Sequence, residues 1–573
     1  MRITALFITT FFTGLAFSQI IYEFDTLTYA SRMGKIDSID VSGRDQATTF
    51  DGGISCLSPF GLSTGSLYSS YTTPVFIKPL LWEAMEFSAL PHLGFSYSFG
   101  GQGSQFLRAN YNHALSEKML LNIDYDRNVG VGYIRNGRFT HNNVRLQFQR
   151  IGLRYTMQLR AGFQSNDVSH PAGLYSDTLI EDFGLEFSPV NKENAHSLNK
   201  AGSVFLKNYF NFLSDSSTML GVTTIHKYSI KNRVYTESDT LYGIYSNVFI
   251  DSFATRDQYN VAKILNGAGV YFSRNEFYID GVLDYAYWDY QNLAIHQDTT
   301  EFGIGSHLAL NINAIKVENY IHFNLAGAFN EFSERASLRF EKNILSVNGF
   351  LNIESTAPEP LQRNYFSNNA NYSMTSIKKQ NTLRFGGNID IELLNKKIVV
   401  SGFGDFTSIS NLLYFNGNSW TNDTVLRNFT SLGVGGAFEF GVFNFHPKFV
   451  YSFDSDGYLP DFQLYGRLFV KGRLFKAKKL EALLGCDVSY FSEYRTKSYI
   501  PSMDTYNWYA TSSSFVPMLN MHAFVTLGIE EFRFYFRFEN IGYYWADKRN
   551  QIVSNYPLPA ARMSLGFTWD FFN

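Results

Sequence analysis

The chain has 573 residues with 55 Phe, 37 Tyr and 6 Trp but only 2 Cys and 14 Pro, which excludes a disulfide-stapled secreted module and a Pro-rich linker protein. Lys plus Arg number 48 against 51 Asp plus Glu, a formal charge of -3, so no basic field exists to hold a polyphosphate, and the reading is no nucleic acid as partner. With 45% hydrophobic and 17% charged residues the chain is too apolar for disorder, and Asn, Ser, Thr, Gly and Tyr supply most of its polar side.

Residues 1–18 read MRITALFITTFFTGLAFS: Arg2, an apolar stretch from Ile3 to Phe17, then Ala16-Phe17-Ser18 before Gln19. This pattern predicts a secretory signal peptide cut between Ser18 and Gln19. The apolar run falls short of the ~20 residues a spanning helix needs. Gln19 stands where a bacterial lipoprotein would have Cys. Beyond residue 18 no stretch approaches ~18 uninterrupted apolar residues, leaving a soluble exported fold or a membrane protein built from strands.

Residues 19–91 are polar and weakly patterned, with Gly61-Leu62-Ser63-Thr64-Gly65-Ser66 and a largely apolar patch from Phe76 to Trp82. They are expected to form an N-terminal periplasmic or lumen-associated segment, too short for the folded plug of a large gated transporter.

From residue 92 to the end, period-two alternation recurs in blocks separated by Asn, Asp, Gly, Ser and Lys clusters, which is the signature of strands. Leu121, Ile123 and Tyr125 alternate with Asn122, Asp124 and Asp126; Tyr155, Met157, Leu159, Ala161 and Phe163 with Arg154, Gln158, Arg160 and Gln164. The same grammar runs through Val317, Ile321, Phe323, Leu325 and Phe329, and through Leu383, Phe385, Ile389, Ile391 and Leu393. It is sharpest where Phe532, Phe534, Phe536 and Phe538 interleave with Arg533, Tyr535, Arg537 and Glu539, and where Met563, Leu565, Phe567, Trp569 and Phe571 alternate with Ser564, Gly566, Thr568 and Asp570.

A soluble sandwich also alternates, with its apolar face packed on a second sheet. Three features favour lipid instead. No linker divides residues 92–573 into the several domains a soluble chain of that length would form. Aromatics crowd the ends of apolar faces, as in Tyr285-Ala286-Tyr287-Trp288 and Tyr543-Tyr544-Trp545, where an interfacial girdle belongs. The segments are also long enough for tilted crossings.

The fold class expected is therefore all-β, a transmembrane antiparallel up-and-down β-barrel over 92–573 with about 18–22 strands. Closure supplies every backbone N–H and C=O with a partner in a solvent that offers none. Short connections are expected at Gln149-Arg150-Ile151-Gly152, Leu394-Asn395-Lys396-Lys397 and Glu530-Glu531, and long, extracellular ones near 166–200, 233–261, 355–380 and 495–513.

Several stretches stand out: Leu90-Pro91-His92-Leu93-Gly94-Phe95-Ser96-Tyr97-Ser98-Phe99-Gly100 with Leu107-Arg108-Ala109-Asn110-Tyr111, then Leu121 to Arg127, Tyr133-Ile134-Arg135-Asn136, Asn555-Tyr556-Pro557-Leu558-Pro559, and Gly566 to Asn573. Together they resemble the putative porin family of Bacteroidota outer membranes. The resemblance implies diffusion across the outer membrane and brings no catalytic residues.

The residues offer little else by way of chemistry. His307, His322 and His522 fall on the polar parity and read as lumen lining; no metal site and no cofactor is expected. Asp454-Ser455-Asp456-Gly457 lacks the third acidic position and distal Glu of a calcium loop and reads as a turn. Gly100-Gly101-Gln102-Gly103 reads as a hairpin turn. Cys486 shares the parity of Leu484, Val488 and Tyr490, which argues against pairing with Cys56. No Ser or Asp nucleophile is coupled to a base, so no enzyme is expected.

The function read from the chain is a passive diffusion channel for small hydrophilic solutes, in contact with outer-membrane lipid. Its pore-lining candidates are Asn122, Asp124, Asp126, Arg154, Arg160, Arg533, Arg537 and Glu539, whose mixed signs imply weak ion preference. The alternative is a plugged structural or interaction barrel within an outer-membrane export or surface complex. Homo-oligomer formation is left open by the sequence.

Overall fold

The computed structural model describes Met85 and residues 90–572 apart from short stretches at 216, 240–244, 246, 328–329, 375, 396, 455–456, 508–514 and 546–549. The expected signal peptide, Cys56 and nearly all of the lead-in segment lie outside the described residues.

The alternating blocks form one 22-stranded sheet. In chain order its strands are β1 (His92–Gly100), β2 (Gln105–Ser116), β3 (Met119–Gly130), β4 (Phe139–Arg150), β5 (Tyr155–Ser169), β6 (Ala195–Ser214), β7 (Thr218–Glu237), β8 (Thr255–Arg274), β9 (Phe277–Asn292), β10 (His296–Ile312) and β11 (Ile315–Gly327). They continue as β12 (Phe332–Lys342), β13 (Leu345–Thr356), β14 (Gln380–Leu393), β15 (Ile398–Ser410), β16 (Arg427–Phe440), β17 (Phe443–Phe453), β18 (Phe462–Leu474), β19 (Leu480–Arg495), β20 (Phe515–Ile529), β21 (Phe532–Glu539) and β22 (Arg562–Phe572). Each strand pairs antiparallel with its successor, and β22 closes on β1 with His92 opposite Phe572 and Gly100 opposite Ser564. The ring has no open edge, which is the condition for placing strands in hydrocarbon.

Connections alternate in length. At one end the chain turns through tight links such as 117–118, 275–276, 313–314, 343–344 and 530–531. Asn275, Asn313 and Asn343 take left-handed backbone there, with φ of 49°, 49° and 54°, a conformation Asn tolerates better than other side chains bearing a Cβ. At the other end lie the long connections 170–194, 238–254, 357–379, 411–426, 496–514 and 540–561. Two of these, 411–426 and 540–561, are longer than the sequence pattern suggested. Tyr543 and Tyr544, which the sequence places in a strand-end girdle, belong instead to a short 3-10 turn in the last connection.

The faces of the ring are inverted relative to a soluble sheet. Looking outward are Phe163, Leu283, Phe302, Leu325, Phe385, Leu432, Val434, Phe449, Leu484, Phe536 and Trp569, all exposed. Looking inward on the same strands are Gln164, Asp280, Glu301, His307, Asn324, Ser431, Asp487 and Ser564, all buried. Cys486 is on the outward parity of β19, and its neighbour Asp487 on the inward one. No helix among the described residues is long and apolar enough to cross a membrane; the strands make the crossing.

Candidate functional site: the inner wall and its loop cap

Charges on the inner wall are held in cross-strand pairs, because successive strands in register bring every second side chain to the same height. On β2–β4, Asp126 accepts from Arg108 Nε at 2.6 Å and from Arg145 Nη2 at 2.8 Å, while Arg145 Nε lies 3.9 Å from Asp124. On β18, β19 and β21, Asp487 accepts from Arg467 at 2.6 Å and stands 3.6 Å from Arg537. Arg533 reaches Asp570 at 3.3 Å, and Glu539 accepts from Arg562 at 3.0 Å and from Ser564 at 2.8 Å. Further round, Arg384 grips Asp405 at 2.6 Å, Lys207 lies 3.6 Å from Asp280, and Glu301 accepts from Trp288 Nε1 at 2.9 Å beside Lys263. Desolvating such charges is costly unless each has a partner, and these pairings offset that cost. They also leave a wall with little net sign.

Seven of the eight candidates from the sequence fall on this wall: Asn122, Asp124 and Asp126 on β3, Arg160 on β5, and Arg533, Arg537 and Glu539 on β21. Arg154 does not; it is exposed in the turn 151–154 that precedes β5. Asp126 of β3 and Arg533 of β21 belong to separate groups, tied respectively to β2–β4 and β22. The partners Arg108 and Arg145 of Asp126, Asp487 of Arg537 and Asp570 of Arg533 were missed as candidates, although each has the same parity signal within its own block. His307, His322 and His522 are inward-facing; His322 Nε2 contacts Asp284 at 2.9 Å. Trp288, grouped with an outer girdle by sequence, points inward because its register puts it on the parity of Tyr290 and Asn292.

The long connections fold back over the mouth and interlock. Tyr133 and Ile134 from 131–138, Leu174, Ile180, Leu185 and Val190 from 170–194, Leu412 from 411–426, and Tyr458 and Leu459 from 454–461 share one apolar cluster. Tyr499 and Tyr506 from 496–514 and Val553, Tyr556 and Leu558 from 540–561 complete it. A second cluster sets Leu361, Tyr365 and Tyr372 from 357–379, with Leu413, Phe415 and Trp420, against Tyr259 and Tyr290 of the wall. Polar ties reinforce the packing. Asn368 Oδ1 accepts the N–H groups of Ile250 and Asp251 at 2.8 and 2.9 Å, Leu174 N donates to Asn555 O at 2.8 Å, and Tyr494 OH donates to Gln551 O at 2.6 Å.

One element spans the whole mouth. The connection after β19 forms a small hairpin, Ser498–Ile500 paired with Thr505–Asn507. Its tip reaches Arg233 on β7, on nearly the opposite side of the ring, where the guanidinium donates to Ser502 O at 2.6 Å and to Pro501 O. Arg233 is 1% exposed. Beneath the same hairpin, His170 is fully buried, with Nε2 2.7 Å from Ser197 Oγ and its ring against Tyr235 and Tyr499. Burial first, then the positive charges of Arg233, His196 and Lys192, hold the His170 imidazole well below the usual histidine range. Lys192 in turn bonds Glu237, which also accepts from Tyr235 at 2.8 Å and from Tyr245 at 2.5 Å. Asp454 accepts from the backbone of Tyr458 and Leu459 at 2.7 and 3.0 Å, the turn that the sequence suggested. Among the described residues no three His, Cys, Asp or Glu converge as a metal set.

A closed ring with an apolar exterior, a polar interior and looped extracellular end is the build of an outer-membrane β-barrel. Within that class, the chain belongs to the family described as "Putative porin", whose model matches residues 88–573. Solved structures with a similar fold include a variant of the ferric enterobactin receptor PfeA from Pseudomonas aeruginosa, with TM-score 0.58, 10% identity, and 85% of this chain and 81% of that one covered. The siderophore receptor PirA from Acinetobacter baumannii gives 0.54 at 9% identity over 85% and 82%, and the ferric preacinetobactin receptor BauA from the same organism 0.51 at 12% over 85% and 81%. At such identities the likeness is one of fold. No curated protein matches the chain.

Proposed function

We propose that the protein is a channel through which small hydrophilic solutes diffuse down their gradients, its outer mouth narrowed by the interlocked loops. The observation carrying this reading is the inner wall: polar, largely amide and hydroxyl, with its charges paired off. Such a wall offers water-like contacts to a neutral or zwitterionic solute without the strong one-sign field that would trap an ion. The seven sequence candidates that stand on that wall, Asn122, Asp124, Asp126, Arg160, Arg533, Arg537 and Glu539, are the proposed lining. Export by the signal peptide, with cleavage after Ser18, is part of the same reading; the mass of the mature N-terminus checks it.

Planar-bilayer recording in a salt gradient tests the channel. Stepwise conductance with a small reversal potential is expected, and a folded protein giving no current above the empty bilayer, even with its cap loosened, removes the reading. The cap itself favours a second one, a plugged structural or interaction barrel in an export or surface complex. Stoichiometric partners recovered from gently solubilised outer membranes would support that alternative.

A further inference from the structure

The inner wall is covered unequally. On β12 the Arg335 side chain is 67% exposed and Ser337 is exposed beside it. On β2–β5, by contrast, Asn112, Asn122, Gln149 and Gln158 are only 4%, 3%, 2% and 1% exposed. These four amides share two adjacent rungs. Asn112 stands opposite Asn122, which stands opposite Gln147, and one step toward the short turns Leu120 stands opposite Gln149, which stands opposite Gln158. Asn112 Oδ1, Asn122 Oδ1, Gln149 Nε2 and both polar atoms of Gln158 are buried with no hydrogen-bond partner among the described residues, while Asn112 Nδ2 donates to Asn110. Burying an amide atom without a partner is costly, so a row of such atoms calls for a complement carrying both donors and acceptors.

We propose that this amide strip is the docking site for the chain's own N-terminal segment, residues 19–89, whose backbone N–H and C=O groups satisfy the row. Three observations choose this occupant. A peptide backbone offers donors and acceptors in alternation, matching a strip with both kinds unpaired. The segment joins the barrel at the strip itself, for His92, the first residue of β1, is the cross-strand partner of Asn112. The length also suffices: three strand spacings of ~4.8 Å separate β2 from β5, a distance that about five extended residues span, and the segment is many times longer. Docked there, it narrows the lumen on the β2–β5 side and leaves the β12 side free.

The test is a photo-cross-link in the full chain in native membranes, with a benzophenone amino acid in place of Gln158 and, separately, of Gln149 and Ser337. The expected product from the first two sites is a peptide of residues 19–89 of the same chain, several-fold more abundant than from Ser337. Cross-links to an oligosaccharide, to another protein, or equally from all three sites overturn the proposal. A smaller probe guards against misfolding caused by the bulky one. Gln158→Cys, in a Cys56→Ser and Cys486→Ser background, should react with a maleimide several-fold faster once a protease has cut away residues 19–89. An unchanged rate in a folded barrel also overturns it. Neither readout depends on solute passage, so this proposal and the channel reading fail separately.

Discussion

If the hairpin tip held by Arg233 closes the mouth, weakening that hold must raise the time the channel spends open. Arg233→Ala removes a buried guanidinium that donates to the Pro501 and Ser502 carbonyls and lies 5.2 Å from the centre of the Tyr235 ring. Hydrogen bonds from a charged donor contribute about 1.5–3 kcal/mol each, and the two here act on adjacent carbonyls of one turn, so their sum is not fully additive. Water entering the loosened tip recovers part of the loss. A net change of about 3 kcal/mol in the closed-to-open balance corresponds to roughly a hundredfold shift, since every 1.4 kcal/mol is tenfold. Single-channel recordings should therefore show long closures of the parent protein replaced by frequent openings. Arg233→Lys should fall between the two, because an ammonium keeps the charge but loses the planar fork. Equal open probability in the parent and Arg233→Ala, with the barrel folded as judged by its heat-modifiable mobility, would refute the latch.

Three other outcomes follow from the geometry. His170 is neutral in the closed cap and its pKa is lowered, whereas in an opened cap it titrates near the ordinary 6.5; the cap is fully stable above that pH and loosens as pH falls below it, so proteolysis of loop 170–194 should accelerate in acid and lose this pH dependence in His170→Gln. Phe536, outward on the short strand β21 and flanked by Val525 and Leu565, meets hydrocarbon; Phe536→Arg should lower stability by about 2–4 kcal/mol in urea titrations from lipid vesicles, and a shift under a tenth of that would place this face in water. Asp487→Asn takes the shared carboxylate from Arg467 and Arg537, and the reversal potential in a salt gradient should move toward anion preference.

The barrel was legible because lipid on one side and water on the other impose a period of two on every crossing, so each strand announces itself independently of its neighbours. The strand number fell at the top of the expected range, since the short strands β21 and β22 are as clearly patterned as the long ones. The inner-wall residues of β3 and β21 were found by parity alone. Their pairings were not, because which Arg meets Asp126 or Asp487 depends on strand register, and register is fixed by turns a residue or two long. The cap was invisible for a different reason. Tyr133, Leu174, Tyr458 and Tyr556 come from separate connections and have no periodic neighbours, so their burial arises only when the ring brings those connections over one mouth. The one hint was compositional: these connections contain large apolar residues that a solvated loop has no use for.

The unequal strand lengths have a further consequence. β6, β7 and β8 each run for 20 residues while β21 has 8. At ~3.3 Å per residue and a tilt of about 40°, the long trio rises on the order of 50 Å along the axis, well beyond the ~30 Å of the acyl layer. Its topmost outward rung is His196, Thr236 and Arg256 in register, side chains no acyl chain would welcome. The rim is thus a slope with one high parapet, and whatever approaches from outside, a phage tail or an antibody, meets bare sheet flank on the β6–β8 quarter and only loops on the β21 side.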